Sequence, residues 1–485
     1  MTPLLGFTPD IEAATPGVIT DCTNFIPYLN GMEGAPTNTT PASTPALAAP
    51  CLGAAVVTNL AGSRRVIAGT ATKLFELVAG AWTDVARTVG GNYSGGADTR
   101  WSFAQFGNAT LAANRADVIQ RSTAGAFANV ATAPRAEIVF SVGAFVMALN
   151  TNDGAEKPNG WHCCAAFDDT NWTPSILTQA ASGQLVASPG ALTAGLRLGE
   201  YAVAYKAKSM FLGQYVGSPA VWDWLLVAGG EAGCIGKEAL CDIGGRHFFV
   251  GDDNFWIFDG TRPQPIADNQ VRQFFFDNSN PQFRFKTKCV FDRQTNRVWV
   301  FYPGPNSTEC DATLVYHVLA GKWGRANRSI QAVISFIAPG TTFDTLNTVA
   351  ATYDLLPAVS YDSQYWFSGG QSLSVFNTSN QLQLVIGTAG ASSFSTGDAG
   401  DDDAVSLLKN LRLRFAAGFS PATASVTTLS KMSSGDAYIA AVTGTMNDGK
   451  FDTLRAARWH KATFNFTGAV KVTHIKPTMT PAGMR

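Results

Sequence analysis

The chain has little charge and no patterned cysteine. Only 15% of its 485 residues are Asp, Glu, Lys or Arg, against roughly a quarter in ordinary soluble domains, and the formal net charge is −1. A protein that grips duplex nucleic acid through its phosphates carries a basic excess, so tight general binding of that kind is excluded. The eight cysteines (22, 51, 163, 164, 234, 241, 289, 310) form neither a CxxC pair nor a dense framework, and they read as reduced, small apolar residues. Sequons such as Asn38-Thr39-Thr40 then carry no glycan. No apolar run approaches the roughly 20 residues that cross a bilayer. The opening MTPLLGFTPDIEAATPG has no basic segment and is cut by Pro3, Pro9 and Asp10, so the chain is expected to be made and kept in the cytosol.

Catalytic and metal-binding signatures are equally sparse. There is no GxSxG elbow and no Walker loop, which removes the usual nucleophile and phosphate cradles. The five histidines (162, 247, 317, 460, 474) show no HExxH and no zinc spacing. His162 stands beside Cys163-Cys164, but neighbouring strand residues point to opposite faces and do not converge on one ion. Asp401-Asp402-Asp403 lacks the alternating oxygen ligands and terminal Glu of a calcium loop. No cofactor and no metal are expected.

What the chain does have is 47 glycines, 31 phenylalanines and 46% hydrophobic residues, a composition suited to short strands joined by turns. Two segments align without a gap: VIAGTATKLFELVAGAWTDVA from 66 and the copy whose core is 111 to 131. Leu74 falls over Ile119, Ala79-Gly80-Ala81 over Ala124-Gly125-Ala126, and Trp82 over Phe127, an offset of 45 residues. That is a blade period of a β-propeller, each copy giving two strands turned at Ala-Gly-Ala; the alternative is chance similarity in an Ala/Gly-rich chain. Looser units follow at 143–151 with 163–174, 200–217, 247–260, 289–303 with 313–325, and 360–377. The expected fold is mainly β, a propeller of about six blades with an additional β-rich platform or nozzle domain built from N- and C-terminal segments.

In HFFVGDDNFWIFDG, His247 to Val250 and Phe255 to Phe258 are apolar at successive positions rather than alternately. Both faces of that sheet are therefore covered. Gly251-Asp252-Asp253-Asn254 supplies turn-forming residues between them, which makes the two acids a hairpin corner before it makes them a site. The expected boundaries are an extended N-terminal segment at 1–55, the propeller with insertions at 56–387, an acidic flexible linker at 388–404, and a C-terminal β-domain at 405–485. A short helix is expected at 268–276, capped by Asp268.

Carboxylates are the remaining chemical candidates. Glycoside hydrolysis needs only two of them flanking a sugar, and Asp153, Glu156, Asp168, Asp169, Asp252, Asp253 and Asp259 stand where a propeller end could gather them. Trp222 and Trp224 could stack on sugar rings, although tryptophan in a β-rich chain is usually core.

Four stretches carry a resemblance: FTPDIEAATPGVITDCTNFIPYLNGMEGAP, GCIGKEALCDIGGRHFFVGDDNFWIFDGTRPQPIAD, VFDRQTNRVWVFYP with YHVLAGKWGR, and RWHKATFNFTGAVKVTHIKPTMTPAGMR. In pattern and order they resemble the tail nozzle, or tail hub, proteins of short-tailed bacteriophages, the packaged-DNA stabilisation and tail tubular B group. The resemblance implies a non-enzymatic virion tail protein assembled in the host cytoplasm, a homohexameric ring that continues the DNA channel below portal and adaptor. It would retain packaged DNA and open for ejection. The implied partners are the tail adaptor, tail fibres or tailspikes, a tail needle or tip protein, genomic double-stranded DNA in the lumen, and the host outer membrane at ejection. The acids Asp398, Asp401, Asp402 and Asp403 are then candidates for a loop that lines or gates the channel by repelling DNA. A propeller that binds or cleaves glycans is the alternative.

Overall fold

The computed structural model describes residues 1–40, 44–228, 232–337, 350, 352–356 and 371–484. Among the described residues, six separate four-stranded antiparallel sheets follow one another as blades, at 54–84, 102–129, 135–184, 192–226, 240–265, and 330–387 with Thr37–Thr39 as its outer strand. A seventh unit of four strands, at 288–326, has the same meander but runs on into a larger sheet. The first strands of all these units are neighbours around a closed ring, from Ala54–Thr58 through Ile330–Ile337 and back to Ala54–Thr58. The propeller of about six blades is thus present, its ring completed by the unit shared with the second sheet.

Burial explains why these strands are not alternating. All of His247–Val250 and all of Arg297–Tyr302 are buried, because neighbouring blades cover both faces. The aligned repeat is also visible: Leu74 and Ile119 are both fully buried. In the first copy Ala79 and Gly80 take φ of 49° and 81° in a two-residue hairpin, with Ala81 opposite Val78. Two successive positive φ values match the twist of the flanking strands. The outer strand Thr37–Thr39 comes from the N-terminal segment and pairs with Leu382–Gly387, which ties the end of the ring to its beginning.

Between residues 56 and 387, two segments depart from the sequence-based expectation. The expected partner strand at 163–174 ends at Cys163; beyond it Ala165 bridges only Asp168, and the chain forms a turn-rich loop. The helix is shorter, Arg272–Asp277, and is not capped by Asp268, whose carboxylate accepts from Asn254 Nδ2 at 2.7 Å. Asp10 caps it instead, accepting from the amides of Gln273 (2.7 Å) and Phe274 (3.0 Å) across the fold. Replacing Asp10 with Ala is expected to cost about 1 kcal/mol, the usual value of a helix cap, read as a lower denaturation midpoint at unchanged slope. Of the unit at 360–377, only Gln371–Asn377 is a described strand, and 360–370 lie outside the described residues.

The terminal segments build a β-sandwich against the propeller. In one sheet the blade strand Lys322–Ala326 is followed by Phe25–Tyr28, Gly31–Gly34, Lys471–Met484, Ala404–Phe415 and Lys450–Ala457. The other sheet has seven strands and runs from Gly6–Phe7 through Val18–Thr23, Ser392–Thr396, Trp459–Thr467 and Thr423–Lys431 to Ile439–Thr445, with Ala399–Gly400 beside Trp459–Thr467. A Cβ on Gly324 would meet Pro27 Cδ at 2.6 Å and Ile26 Cα at 2.7 Å, so glycine lets the N-terminal strand lie against the blade. Residues 388–404, expected as a flexible acidic linker, instead supply two of these strands, Ser392–Thr396 in the middle of the sheet and Ala399–Gly400 beside it. Phe394 drives this: it is buried and stacks on Phe25 and Phe464, each with centroids 5.0 Å apart.

Candidate functional site

The hairpin acids do the work of a corner. Gly251 N–H donates to Asn254 O at 2.8 Å, closing the turn. Asp253 accepts from Trp256 Nε1 at 3.3 Å while its carbonyl accepts from Arg272 Nε at 2.6 Å. Asp252 faces Lys208 at 3.9 Å. The other carboxylates proposed for sugar chemistry are each held by a separate partner. Asp153 pairs with Lys157 at 2.8 Å, Glu156 with Arg115 at 2.7 Å and Asp169 with Arg121 at 2.6 Å. Asp168 accepts from Thr170 Oγ1 at 2.6 Å and Asp259 from Thr261 Oγ1 at 2.5 Å. Hydrogen bonds from Lys157, Thr170 and Thr261 hold the carboxyls of Asp153, Asp168 and Asp259 below the usual range. A glycosidase acid needs the opposite shift.

Three of the four acids of the expected channel loop are likewise occupied. Asp398 pairs with Lys431 at 3.0 Å and accepts from the Tyr438 hydroxyl. Asp401 accepts from the amides of Asp403 (3.0 Å) and Ala404 (2.7 Å). Asp402 accepts from Ser434 N (2.8 Å) and Trp459 Nε1 (2.6 Å), which hold its carboxyl below the usual range. Asp398 and Asp402 staple the sandwich, and Asp401 closes a local turn. Among the described residues no group of three or more His, Cys, Asp or Glu is placed to hold a metal ion.

All eight cysteines are free and buried. Burial pushes the Cys163 and Cys164 thiols up to about 12, the reverse of an activated nucleophile. His162 is bound through Nε2 to Trp172 O at 2.7 Å. Trp222 is core, edge-on to Phe145 with centroids 5.7 Å apart, and Trp224 packs on Trp161 at 5.8 Å.

A feature that sequence reading missed lies at the outer edge of the third and fourth blades. Phe167 is 83% exposed, Ile176 63%, Leu177 94% and Val216 50%. Their loops interlock: Ala166 N–H donates to Thr178 O at 3.0 Å, Tyr215 Oη to Gln179 Oε1 at 2.9 Å, and Ser218 Oγ to Ile176 O at 3.5 Å. Phe167 holds φ at 62°, a conformation bulky side chains rarely adopt. The only available signal was apolar residues set among turn formers, as in FDDTNWTPSILTQ, without the alternation of a strand.

No family model and no curated protein matches the chain. Solved structures similar to it include YCF48 bound to D1 peptide, at 11% identity and a TM-score of 0.37, covering 75% of this chain and 97% of that one. YCF48 from Cyanidioschyzon merolae is similar at 9% identity and a TM-score of 0.38, covering 73% and 99%. The tail-nozzle function expected from the sequence is corrected here: the matches named are YCF48 and not phage tail proteins, and the comparisons give that role no support. Likeness this distant transfers no function to the chain. Among the described residues no helix is long and apolar enough to cross a membrane.

Proposed function

We propose that the chain is a non-catalytic assembly protein that associates with further copies of itself through the edge of its third and fourth blades. The observation that supports this reading is the patch of Phe167, Ile176, Leu177 and Val216, exposed together on interlocked loops. Exposed apolar side chains gathered on loops that bond to one another are the kind of surface that serves as a contact site in soluble proteins, and aromatic anchors dominate the energetics of such sites. The charge-poor composition fits as well, since charge is depleted at the cores of interfaces. A patch on one side of a wheel, meeting a different surface of an identical copy, repeats from copy to copy and gives a ring when the rotation closes.

The test is the native mass. A multiple of 51.3 kDa is expected from light scattering. Leu177→Asp combined with Phe167→Gly should return the monomer. Phe167→Gly alone relieves the positive φ, so its stability should hold or rise by about 0.5–1 kcal/mol while assembly weakens. A wild-type monomer at 51.3 kDa, or an assembly indifferent to both changes, removes the reading.

A further inference from the structure

One sheet of the sandwich turns a block of cations outward. Arg412, on the strand Ala404–Phe415, stands directly opposite Lys450 on one side and Lys476 on the other. Arg414, two residues on, faces the same way beside His474, because Leu411, Leu413 and Ile475 are the buried alternates of these strands. Opposite residues on one face lie about 5 Å apart, and like charges there repel. Lys450 has an acid of its own, Asp452 at 3.4 Å. Among the described residues Arg412, Arg414 and Lys476 are exposed and have no carboxylate partner; Arg412 Nη2 donates to the Asp448 carbonyl at 3.5 Å.

The opposite charge gathers at the start of the same strand. Asp401, Asp402 and Asp403 are exposed immediately before Ala404. Asp402 accepts from the amide of Ser434 at 2.8 Å, which sets Asp436, two residues further on and also exposed, in the adjoining turn. Arg458 lies near Asp402 and leaves the corner an excess of acid. Among the described residues the carboxylates of Asp403 and Asp436 hold no hydrogen bond or ion pair. Asp403 and Arg412 are far apart on an extended strand, about 30 Å at roughly 3.3 Å per residue, against a screening length of about 8 Å in physiological salt. One copy therefore cannot neutralise its own basic block. A second copy placed head to tail can.

We propose that the basic face at Arg412, Arg414 and Lys476 docks the acidic corner at Asp401, Asp402, Asp403 and Asp436 of a second copy of this chain. Two different surfaces meet, so the contact repeats from copy to copy. Exposed ion pairs are individually weak, but here several form together, and the repulsion among Arg412, Lys450 and Lys476 is relieved in the same step. The contact lies on the sandwich and is independent of the patch on the blades.

Sedimentation velocity of the full-length chain carrying Phe167→Gly and Leu177→Asp isolates this contact, whatever the blade patch does. That protein should run as a monomer in about 0.15 M salt and as larger species in about 0.01 M, where charge acts over about 30 Å instead of about 8 Å. Adding Arg412→Glu with Lys476→Glu, or Asp403→Lys with Asp436→Lys, should weaken the low-salt association about tenfold or more. The two variants mixed in equal amounts should associate again, since each supplies the surface that the other has reversed. A monomer at low salt, reversed variants that associate like their parent, or a mixture that stays monomeric each overturns the proposal. Unchanged self-association in the Arg412→Glu and Lys476→Glu protein, alongside lost binding to duplex DNA, would assign the face to a polyanion and overturn it equally.

Discussion

Raising the pH from 8 to 10.5 is expected to unfold the protein cooperatively, well below the pH at which its thiols would ionise in place. Burial pushes Cys51, Cys163, Cys164, Cys234 and Cys310 up to about 12, from an ordinary 9.0. It raises Cys22, Cys241 and Cys289 as well. Above about pH 9 the unfolded chain sheds these protons while the folded chain keeps them, so the unfolded state binds fewer protons and stability falls as pH rises. Each such thiol removes about 1.4 kcal/mol per pH unit in that window, and five of them together exhaust a stability on the order of 5–15 kcal/mol within one to two units. Five cations act in the opposite sense. Burial pushes Lys237 down to about 8 and Arg328 to about 10 and lowers Lys206, Lys322 and Arg284 as well, so each adds stability as pH rises past its folded value. These five do not offset eight thiols reinforced by buried tyrosines such as Tyr93, Tyr205 and Tyr302, which burial also raises. Melting temperature against pH, followed by tryptophan fluorescence, should fall steeply above pH 9, with all thiols becoming reactive to a disulfide reagent in the same step. A flat profile to pH 10.5, or thiols that react one by one in the folded protein, would contradict this account.

The propeller was legible because its signal is local. Unbroken apolar pairs such as Phe248-Phe249 and Trp256-Ile257, split by Gly251 to Asn254, require a hairpin covered on both faces whatever surrounds it. Ala79-Gly80 marks its own turn through positive φ. Pairings between distant segments left no such mark. Thr37–Thr39 completes the blade at 330–387, and Asp10 caps a helix 263 residues away, yet neither segment shows in its own composition what it will meet. Residues 388–404 were misjudged for a related reason. Ser392–Thr396 buries one large side chain, Phe394, among small polar ones, and a strand whose burial rests on a single residue reads as a loop. The acids beside it looked like a solvated run, whereas Lys431, Tyr438, Ser434 and Trp459 hold Asp398 and Asp402 from strands and turns more than 30 residues away. The Phe167 patch depends on what is missing around a residue, which periodicity does not encode.

Trp323→Ala is expected to cost about 3–5 kcal/mol, at the upper end for a single truncation. Trp323 is fully buried where the last strand of the 288–326 blade meets the sandwich. Its ring lies 4.9 Å from Phe255 and 4.7 Å from Tyr316, with Phe248 at 6.5 Å, so one side chain joins two blades. The same buried core continues through Phe25 and Phe394 to Phe464 and Phe466, without a break between propeller and sandwich. A hole at Trp323 would therefore loosen both parts together, and they should still unfold in one transition, with a lower denaturant midpoint. Trp323→Phe separates packing from polarity. The indole N–H is buried with no partner, so replacing it removes an unsatisfied donor while keeping most of the ring contact, and the net loss should stay near 1 kcal/mol. If Phe proved as costly as Ala, an unseen hydrogen bond to the indole would be carrying the joint. If Trp323→Ala split the transition in two, the propeller and sandwich would be separate folding units rather than one core.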